Sequence, residues 1–327
     1  TRDTSADRRD SPKRSFEPTQ VIGRLAGDPP GDGEVTMSEQ TLGRYRLLGT
    51  IAEGGMGAVH RAVDPELDRT VALKVLPDHL AEDPERLARF QQEARALAAV
   101  NHPGIVVIHS VEEAGDTHFI TMEYVEGRTL TEIMSDQGIE LKQFFDIAIP
   151  LTRALEAAHA QGVTHRDLKP ANVMVNESGA LKVLDFGLAK LVRDHPSPAP
   201  AENPTESLLT DGMILGTPNY MAPEQARGRH SDARSDIFSA GAIFYHMLTG
   251  TRPFRGETAA EILASVLRDD PEPVDRVNPE CSPRLGRTIT RCLAKVPDDR
   301  YPSAGLLREE LEACARELED SQAVRSI

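Results

Sequence analysis

Apolar positions in the first third of the chain are grouped as short strands. Runs rich in Val, Ile, Leu and Ala, separated by turn residues, predict strands at 45–51, 58–63, 70–76, 105–111 and 117–122. One helical pattern interrupts them: Asp83 is a suitable N-cap, and Pro84 suits the first helical position. Its apolar residues recur at helical spacing, at Leu87, Phe90, Ala94 and Leu97. The pattern predicts a small sheet with one helix.

From Leu130 onward, helical patterns dominate. Residues 141–161 carry one apolar face, formed by Leu141, Phe145, Ala148, Leu151 and Leu155. Pro150 lies inside this helix and is expected to kink it, because it lacks a backbone donor. Short strands are predicted at 173–175 and 181–184, a further helix at 235–248, and three more helices up to about Leu318.

Two segments have too few apolar residues to form a core. Residues 1–40 are rich in Arg, Asp, Ser, Pro and Gly, which predicts a disordered arm, and Met37 is a candidate start of translation. Residues 193–211 are rich in Pro, Ser, Ala and Thr, which predicts a mobile loop.

Composition excludes several classes of protein. The 327 residues carry a net charge of -15, which argues against a nucleic-acid partner. No apolar run approaches the ~20 residues of a membrane span, and the polar start is unlike a secretory signal. Cys281, Cys292 and Cys314 are far apart in sequence, which favours reduced thiols and a cytoplasmic location, with a disulfide or zinc site as the alternative.

The first candidate for chemistry is the glycine-rich turn at 52–59, between two predicted strands. Glycines allow backbone amides to approach phosphate oxygens, although glycine-rich hairpins are common. Lys74 lies on a following strand, and Glu93 flanks the apolar face of the predicted helix. Each is usually a solvated charge, but together they can form an ion pair in which Lys74 holds phosphates.

The strongest candidate is the segment 165–172, followed by Asp185. Asp167 can accept a hydrogen bond from a substrate hydroxyl, and Lys169 can neutralise a transferring phosphate. Asn172 and Asp185 supply hard oxygen ligands of the kind that magnesium prefers. Any one of these residues is more often a surface charge or a helix cap, but the set in this order indicates phosphoryl transfer.

These segments resemble the protein kinase superfamily, and specifically the eukaryotic-like serine/threonine kinases of bacteria. The motifs lie in the order of that family over about 45–318, at 52–59, 71–74 (Val-Ala-Leu-Lys), 165–172 (His-Arg-Asp-Leu-Lys-Pro-Ala-Asn), 185–187 (Asp-Phe-Gly) and 221–224 (Met-Ala-Pro-Glu). The resemblance implies an α+β, bilobal protein kinase fold. Its N-lobe is a small antiparallel β-sheet with one helix, and its larger C-lobe is mainly α-helical. It places the arm at 1–40, the lobes at 41–126 and 127–318, and a tail at 319–327.

The resemblance implies a serine/threonine protein kinase that uses ATP with Mg²⁺, or Mn²⁺ as a substitute. The catalytic residues would be Asp167, Lys169, Lys74, Glu93 and Asn172, with metal held by Asn172 and Asp185. The nucleotide would be bound by Ala52, Gly54, Gly55, Gly57, Val59, Ala72, Lys74, Met122, Glu123, Val125, Met174 and Asp185. In that set Met122 is the gatekeeper, and the backbones of Glu123 and Val125 bind adenine.

The resemblance also implies structural roles. Glu224 and Arg300 should form a buried ion pair, and Asp236 should cap the catalytic loop from below. A spine that joins the lobes should consist of Leu97, Ile108, His165 and Phe186.

For regulation, Arg166 is expected to bind a phosphate on the loop before Glu224, and Thr217 to support Asp167. Thr210 is the preferred site of modification, with Ser207 and Thr205 next. The expected partners are proteins with Ser or Thr acceptors, including this chain itself in a transient dimer. The parent protein is expected to continue past Ile327, where a membrane anchor would lie.

The sequence departs from the family pattern at two places, and two other functions are alternatives. Ala52 replaces the first loop glycine of the family pattern, and the segment between Asp185 and Glu224 is long and Pro-rich. A pseudokinase scaffold is disfavoured by the intact catalytic set. A small-molecule kinase, such as an antibiotic phosphotransferase, is disfavoured by the 216–224 segment, which resembles a platform for protein substrates.

Overall fold

The computed structural model describes residues 40–54, 57–77, 81, 83–186 and 218–325. The strands are β1 Thr41–Leu42, β2 Tyr45–Gly54, β3 Gly57–Asp64, β4 Arg69–Val75, β5 Ile108–Ala114, β6 Thr117–Glu123, β7 Arg128–Thr129, β8 Val173–Val175 and β9 Leu181–Val183. The helices are α1 Pro84–Ala98, α2 Leu130–Ile133, α3 Leu141–Ala160, α4 Pro223–Ala226, α5 Ala233–Thr249, α6 Ala259–Arg268, α7 Val274–Val277, α8 Pro283–Cys292 and α9 Ala304–Arg325.

The N-terminal lobe is a six-stranded antiparallel sheet with the order β1-β2-β3-β4-β6-β5. Alternation along β4 sends Val71 and Leu73 into a small core with Tyr45, Ala62 and Phe119. The other face of the sheet is covered by α1. Asp83 caps this helix by accepting hydrogen bonds from the amides of Glu85 (3.0 Å) and Arg86 (3.2 Å). This lobe agrees with the predicted small sheet and single helix.

The buried face of α1 is the predicted one. Phe90, Ala94 and Leu97 are buried, and Leu87 packs against the same core. That core continues into the C-terminal lobe, where α5 is buried along most of its length. Phe244 of α5 meets Phe144 of α3 edge to face, with ring centroids 5.6 Å apart. The predicted bilobal α+β architecture is therefore confirmed.

Several predicted bounds were wrong. Strand β5 begins at Ile108 rather than at 105, because Ile105 bridges Val183 of β9 instead, and the amide of Val106 donates to the Val183 carbonyl (3.0 Å). Among the described residues, four helices rather than three follow α5, because α7 is an additional single turn. Helix α9 continues beyond Leu318 to Arg325. The limits drawn between arm, lobes and tail stay predictions, and the arm and the loop at 193–211 lie outside the described residues.

The cysteines agree with the predicted reduced thiols. Cys281, Cys292 and Cys314 are free and buried. Burial raises the pKa of Cys281 and Cys292 to about 12 and that of Cys314 to about 11, which keeps them as unreactive thiols. None of the described helices combines the length and the apolar character that a membrane span needs.

Candidate active site

The segment between α3 and β8, residues 165–172, is held from below by a buried aspartate. Asp236, on α5, accepts hydrogen bonds from the amides of His165 (2.7 Å) and Arg166 (2.8 Å), and contacts Nε2 of His159 at 2.8 Å. Burial opposes ionisation of Asp236, but His159 and these donors outweigh it and hold its pKa below the ordinary value. Arg166 thereby keeps a left-handed backbone (φ 64°). The predicted cap by Asp236 is confirmed.

Three polar side chains meet on this loop. Nζ of Lys169 lies 2.7 Å from Oδ2 of Asp167, and Nδ2 of Asn172 donates to the backbone carbonyl of Asp167 at 2.9 Å. Since the nitrogen of the Asn172 amide is used in this way, its oxygen is the atom that can face a metal. The loop therefore presents one carboxylate, one ammonium group and one amide oxygen at the same place.

Lys74, on β4, points into the same cleft. Its side chain is 5% exposed, and Nζ lies 2.9 Å from Oδ1 of Asp185, just after β9. Burial disfavours the charged form of Asp185, but the neighbouring Lys74 ammonium outweighs burial and lowers the pKa of this carboxyl. Asp185 has a left-handed backbone (φ 54°), which sets the direction of its side chain. The carboxylate is thus kept ionised, as a metal ligand must be.

The structure does not show the predicted ion pair of Lys74 with Glu93. Oε1 of Glu93, on α1, lies 3.2 Å from Nη1 of Arg166, while Lys74 pairs with Asp185. The physical reason is that two cations and two carboxylates converge on one cleft. Which of them pair depends on where α1 sits against the loop, and no spacing in the sequence gives that position.

The glycine-rich hairpin joins β2 to β3, with Ala52 opposite Val59 and Gly54 opposite Gly57. Gly57 has φ 102°, and a Cβ at that position would lie 2.0 Å from the Val75 carbonyl oxygen, so only glycine fits. Ala52 lies in extended strand conformation and needs no glycine. Gly55 lies outside the described residues.

An apolar group lines the cleft beneath this hairpin. Ala72 and Met122 are buried beside Val106, and around them pack Val59, Tyr124, Val125 and Leu184. Sequence reasoning missed Val106 and Leu184, although Leu184 directly precedes Asp185 and is apolar. Met174, on β8 opposite Lys182, is half-buried and lies outside this packed group. Four of the residues predicted to line the adenine site are therefore brought together: Val59, Ala72, Met122 and Val125.

Glu123 ends β6 at the connection between the lobes. Its amide donates to the Val107 carbonyl at 2.9 Å. The main-chain group of Glu123 that is left to contact adenine is therefore its own carbonyl, which would accept a hydrogen bond. Its carboxylate lies 2.7 Å from Nζ of Lys182, a residue that sequence reasoning did not single out.

The predicted spine is buried in one core. The rings of His165 and Phe186 lie 4.7 Å apart, and Leu97 and Ile108 belong to the same apolar core as Phe186. Burial lowers the pKa of His165 and favours its neutral form, which contacts the Leu184 carbonyl through Nε2 at 2.9 Å.

The predicted buried pair of Glu224 with Arg300 is confirmed. Nη1 and Nη2 of Arg300 lie 2.7 and 2.8 Å from the two carboxylate oxygens, and Arg300 is fully buried. Ser235 also donates to Glu224 at 2.6 Å. Burial raises the pKa of Glu224, but Arg300 and Ser235 more than offset that and leave it lowered. The start of α4 is therefore fixed to the loop before α9.

The donor set suits a hard cation bound together with a ligand. Asn172 and Asp185 offer one amide and one carboxylate oxygen in the same cleft. Within the described parts of the chain, no three His, Cys, Asp or Glu side chains are grouped to hold a metal alone. Magnesium usually keeps several waters and takes phosphate oxygens beside one or two protein ligands, so the residues present fit it.

Five predicted residues cannot be placed. All five lie outside the described residues: the nucleotide-binding candidate Gly55 and the regulatory candidates Thr205, Ser207, Thr210 and Thr217. Arg166 is the only regulatory candidate that lies within the described residues, and it contacts Glu93.

Comparison with known proteins points to the same chemistry. Residues 45–311 match the family described as protein kinase domain. Serine/threonine-protein kinase PknB of Mycolicibacterium smegmatis is 39% identical over 85% of this chain and 44% of its own length. Serine/threonine-protein kinase pkn3 of Myxococcus xanthus is 42% identical over 84% of this chain and 50% of its own. The chain thus spans about half or less of the curated relatives it matches.

A solved structure agrees in fold. The kinase domain of PknI from Mycobacterium tuberculosis matches with a TM-score of 0.65 and 27% identity, over 86% of this chain and 99% of that domain. The match covers both the sheet lobe and the helical lobe.

Proposed function

Because the chain belongs to the protein kinase family, as a bacterial serine/threonine protein kinase domain that uses ATP with a divalent metal, we propose how its cleft transfers phosphate. Asp167, Lys169 and Asn172 act on the γ-phosphate of ATP and on the hydroxyl of a Ser or Thr in a protein substrate. The observation that carries this proposal is the contact of these three side chains on one rigid loop, beside the Lys74–Asp185 pair.

Each residue has a separate task in the proposed mechanism. The carboxylate of Asp167 accepts the hydrogen bond of the substrate hydroxyl, orients it and takes up its proton. Lys169, 2.7 Å away, offsets negative charge on the transferring phosphate. Lys74 binds the α- and β-phosphates. Asn172 and Asp185 would hold Mg²⁺, or Mn²⁺ in its place, and the metal would supply positive charge to offset that of the phosphates.

The apolar group around Ala72 and Met122 receives the adenine ring, with Met174 beneath it. The Glu123 carbonyl and the Val125 main chain bind its polar edge. Gly54, Gly55 and Gly57 cover the phosphates, since hairpin backbone without side chains allows close approach. Ala52 lies in the strand before the turn and does not disturb the turn.

For regulation, we propose that a loop phosphate competes with Glu93 for Arg166. The structure supports this because Arg166 already binds one anion, and its buried Nε has no acceptor among the described residues. A phosphate on Thr210, or on Ser207 or Thr205, adds a charge of about −1.5 to −2 and outcompetes a single carboxylate. Release of Glu93 then permits the predicted pair with Lys74, while Thr217 supports Asp167.

Self-phosphorylation in a transient dimer is the proposed source of that phosphate, and other Ser/Thr proteins are the substrates. A site of action in the cytoplasm, with a membrane anchor elsewhere in the parent protein, is part of the same proposal.

The direct test is phosphate transfer from labelled ATP with Mg²⁺, and separately Mn²⁺, to the chain itself and to a generic basic protein. The proposed roles predict that Asp167→Asn lowers transfer by about 10²-fold or more at unchanged folding. Mass spectrometry then locates the phosphates, and Thr210→Ala should slow activation of phosphatase-treated protein. Label on neither protein would support a scaffold without turnover, and transfer to small aminoglycoside-like alcohols alone would support a small-molecule kinase.

A further inference from the structure

Two groups hold the carboxylate of Glu123, which lies at the connection between the lobes. Nζ of Lys182 lies 2.7 Å from Oε2, and the Val107 amide donates to the same oxygen at 3.2 Å. The side chains of Lys182 and Glu123 are 17% and 31% exposed, so this pair is only partly solvated. It is one of the contacts that the proposed mechanism does not use.

Lys182 lies on the strand that leads into Asp185. Its neighbours on β9, Leu181 and Val183, are buried, so alternation turns Lys182 to the other face. The Val183 amide donates to Gly104 at 2.8 Å, and the Val106 amide donates back to Val183 at 3.0 Å. The strand is therefore fixed to the 104–106 segment, and Lys182 has little freedom to leave Glu123.

Glu123 stands between the gatekeeper position and the rest of the connection. Its amide is already bonded to Val107 at 2.9 Å, so both its main chain and its side chain are tied to the same residue. With Lys182 as a third attachment, the orientation of the Glu123 carbonyl is set. A charge-assisted hydrogen bond of this kind is about twice as strong as a neutral one.

We propose that Lys182 is a positioning residue for the nucleotide. Through Glu123 it fixes the carbonyl that binds the adenine edge, and it does so from the strand that carries the metal ligand Asp185. The two ends of the bound nucleotide are thereby set relative to each other. The inference rests on the proposed nucleotide site, and it adds a residue that touches neither nucleotide nor substrate.

The test compares steady-state kinetics of Lys182→Met with those of the wild type. The KM for ATP should rise about 3- to 10-fold with kcat within about twofold, because only nucleotide binding loses an interaction. Glu123→Gln should raise the KM in the same direction, because it removes the negative charge from this hydrogen bond, and the double variant should be no worse than Lys182→Met alone, since both substitutions act on the Glu123–Lys182 contact. Lys182→Arg should restore the KM in part.

Lys142→Met is the matched control. Lys142 forms a pair of the same type with Asp146 at 2.8 Å, on the exposed surface of α3. It should leave the KM for ATP unchanged, and thermal unfolding of all variants should stay close to wild type. If Lys182→Met folds poorly, the KM for ATP of Glu123→Gln, which keeps the size of the side chain, tests the proposal instead.

An unchanged KM in Glu123→Gln, additive effects in the double variant, or faster turnover on breaking the pair would each overturn the proposal. The proposed nucleotide site is tested separately, with Lys74→Met. If that variant keeps wild-type kinetics, the site itself is misplaced. If it loses transfer while the Lys182 variants behave as wild type, only the positioning role of Lys182 is refuted.

Discussion

The two charged centres of this protein behave differently. In the C-terminal lobe, Glu224 and Arg300 form one bidentate pair in a fully enclosed place. In the cleft, Lys74 pairs with Asp185 and Arg166 pairs with Glu93, and every one of these side chains except Lys74 is 22–32% exposed. The first pair is the one that the sequence predicts, and the second has exchanged partners.

The difference follows from how many alternatives each charge has. Arg300 also donates to the backbone carbonyls of Ala294 (2.8 Å) and Arg234 (2.9 Å), and its guanidinium lies over Phe238, so every direction is occupied. A buried pair with all its hydrogen bonds satisfied has a single arrangement. Each charged group of the cleft has more than one oppositely charged group nearby, which suits a site that must accept and release a charged nucleotide.

Removal of Arg300 should give the largest effect on stability. Arg300→Met leaves Glu224 as a buried, unpaired carboxylate and should destabilise the fold by about 3–5 kcal/mol. Urea unfolding of the purified chain measures this loss. The double variant Glu224→Gln with Arg300→Met should be less destabilised than Arg300→Met alone. Equal loss in both would mean that packing around Phe238, rather than the ion pair, fixes this region.

Lys74→Met should separate function from stability in the cleft. It removes the proposed phosphate clamp, so transfer should fall by about 10²- to 10³-fold. The free energy of unfolding should fall less than in Arg300→Met, because the side chain of Asp185 is 32% exposed and that of Glu224 only 9%. Initial rates with labelled ATP and a parallel urea titration measure both quantities. A large loss of stability with a modest loss of rate would show that the Lys74–Asp185 pair serves the fold more than it serves phosphate transfer.

Acidification should weaken the C-terminal centre. The pKa of Glu224 is lowered in the fold from 4.5, chiefly by Arg300 and Ser235 acting against burial. Its contribution is therefore complete above pH 4.5 and is lost as the pH falls through the folded value. Unfolding free energies at a series of acidic pH values should decline more steeply for the wild type than for the Glu224→Gln, Arg300→Met double variant. Parallel curves would show that other carboxylates dominate.

Ala52→Gly should have the smallest effect. Ala52 lies in strand conformation opposite Val59, away from the tight approach at Gly57, so the KM for ATP should change by no more than about threefold. Gly57→Ala is the matched contrast, because its Cβ would meet the Val75 carbonyl. A gain of orders of magnitude in affinity for Ala52→Gly would show that the native hairpin binds nucleotide poorly.

Local patterns carried much of the fold and the candidate site. The strand and helix patterns predicted the sheet lobe, the buried face of α1 and the core of α3, because alternation and helical spacing are local properties. The ordered motifs identified Asp167, Lys169 and Asn172, and the structure brings these into contact because they lie on one short loop. The cap by Asp236 and the Glu224–Arg300 pair were implied by the resemblance to the kinase family, and the structure confirms both.

Contacts between segments far apart in sequence were decided by the tertiary structure alone. The start of β5 depends on Ile105 reaching Val183, and the Glu123–Lys182 contact joins a strand of one lobe to a strand of the other. The pairing of Lys74 with Asp185, rather than with Glu93, depends on the position of α1 against the loop at Arg166. The sequence determines which charges are present, but each charge in the cleft has more than one possible partner, and only the packing of the lobes selects one.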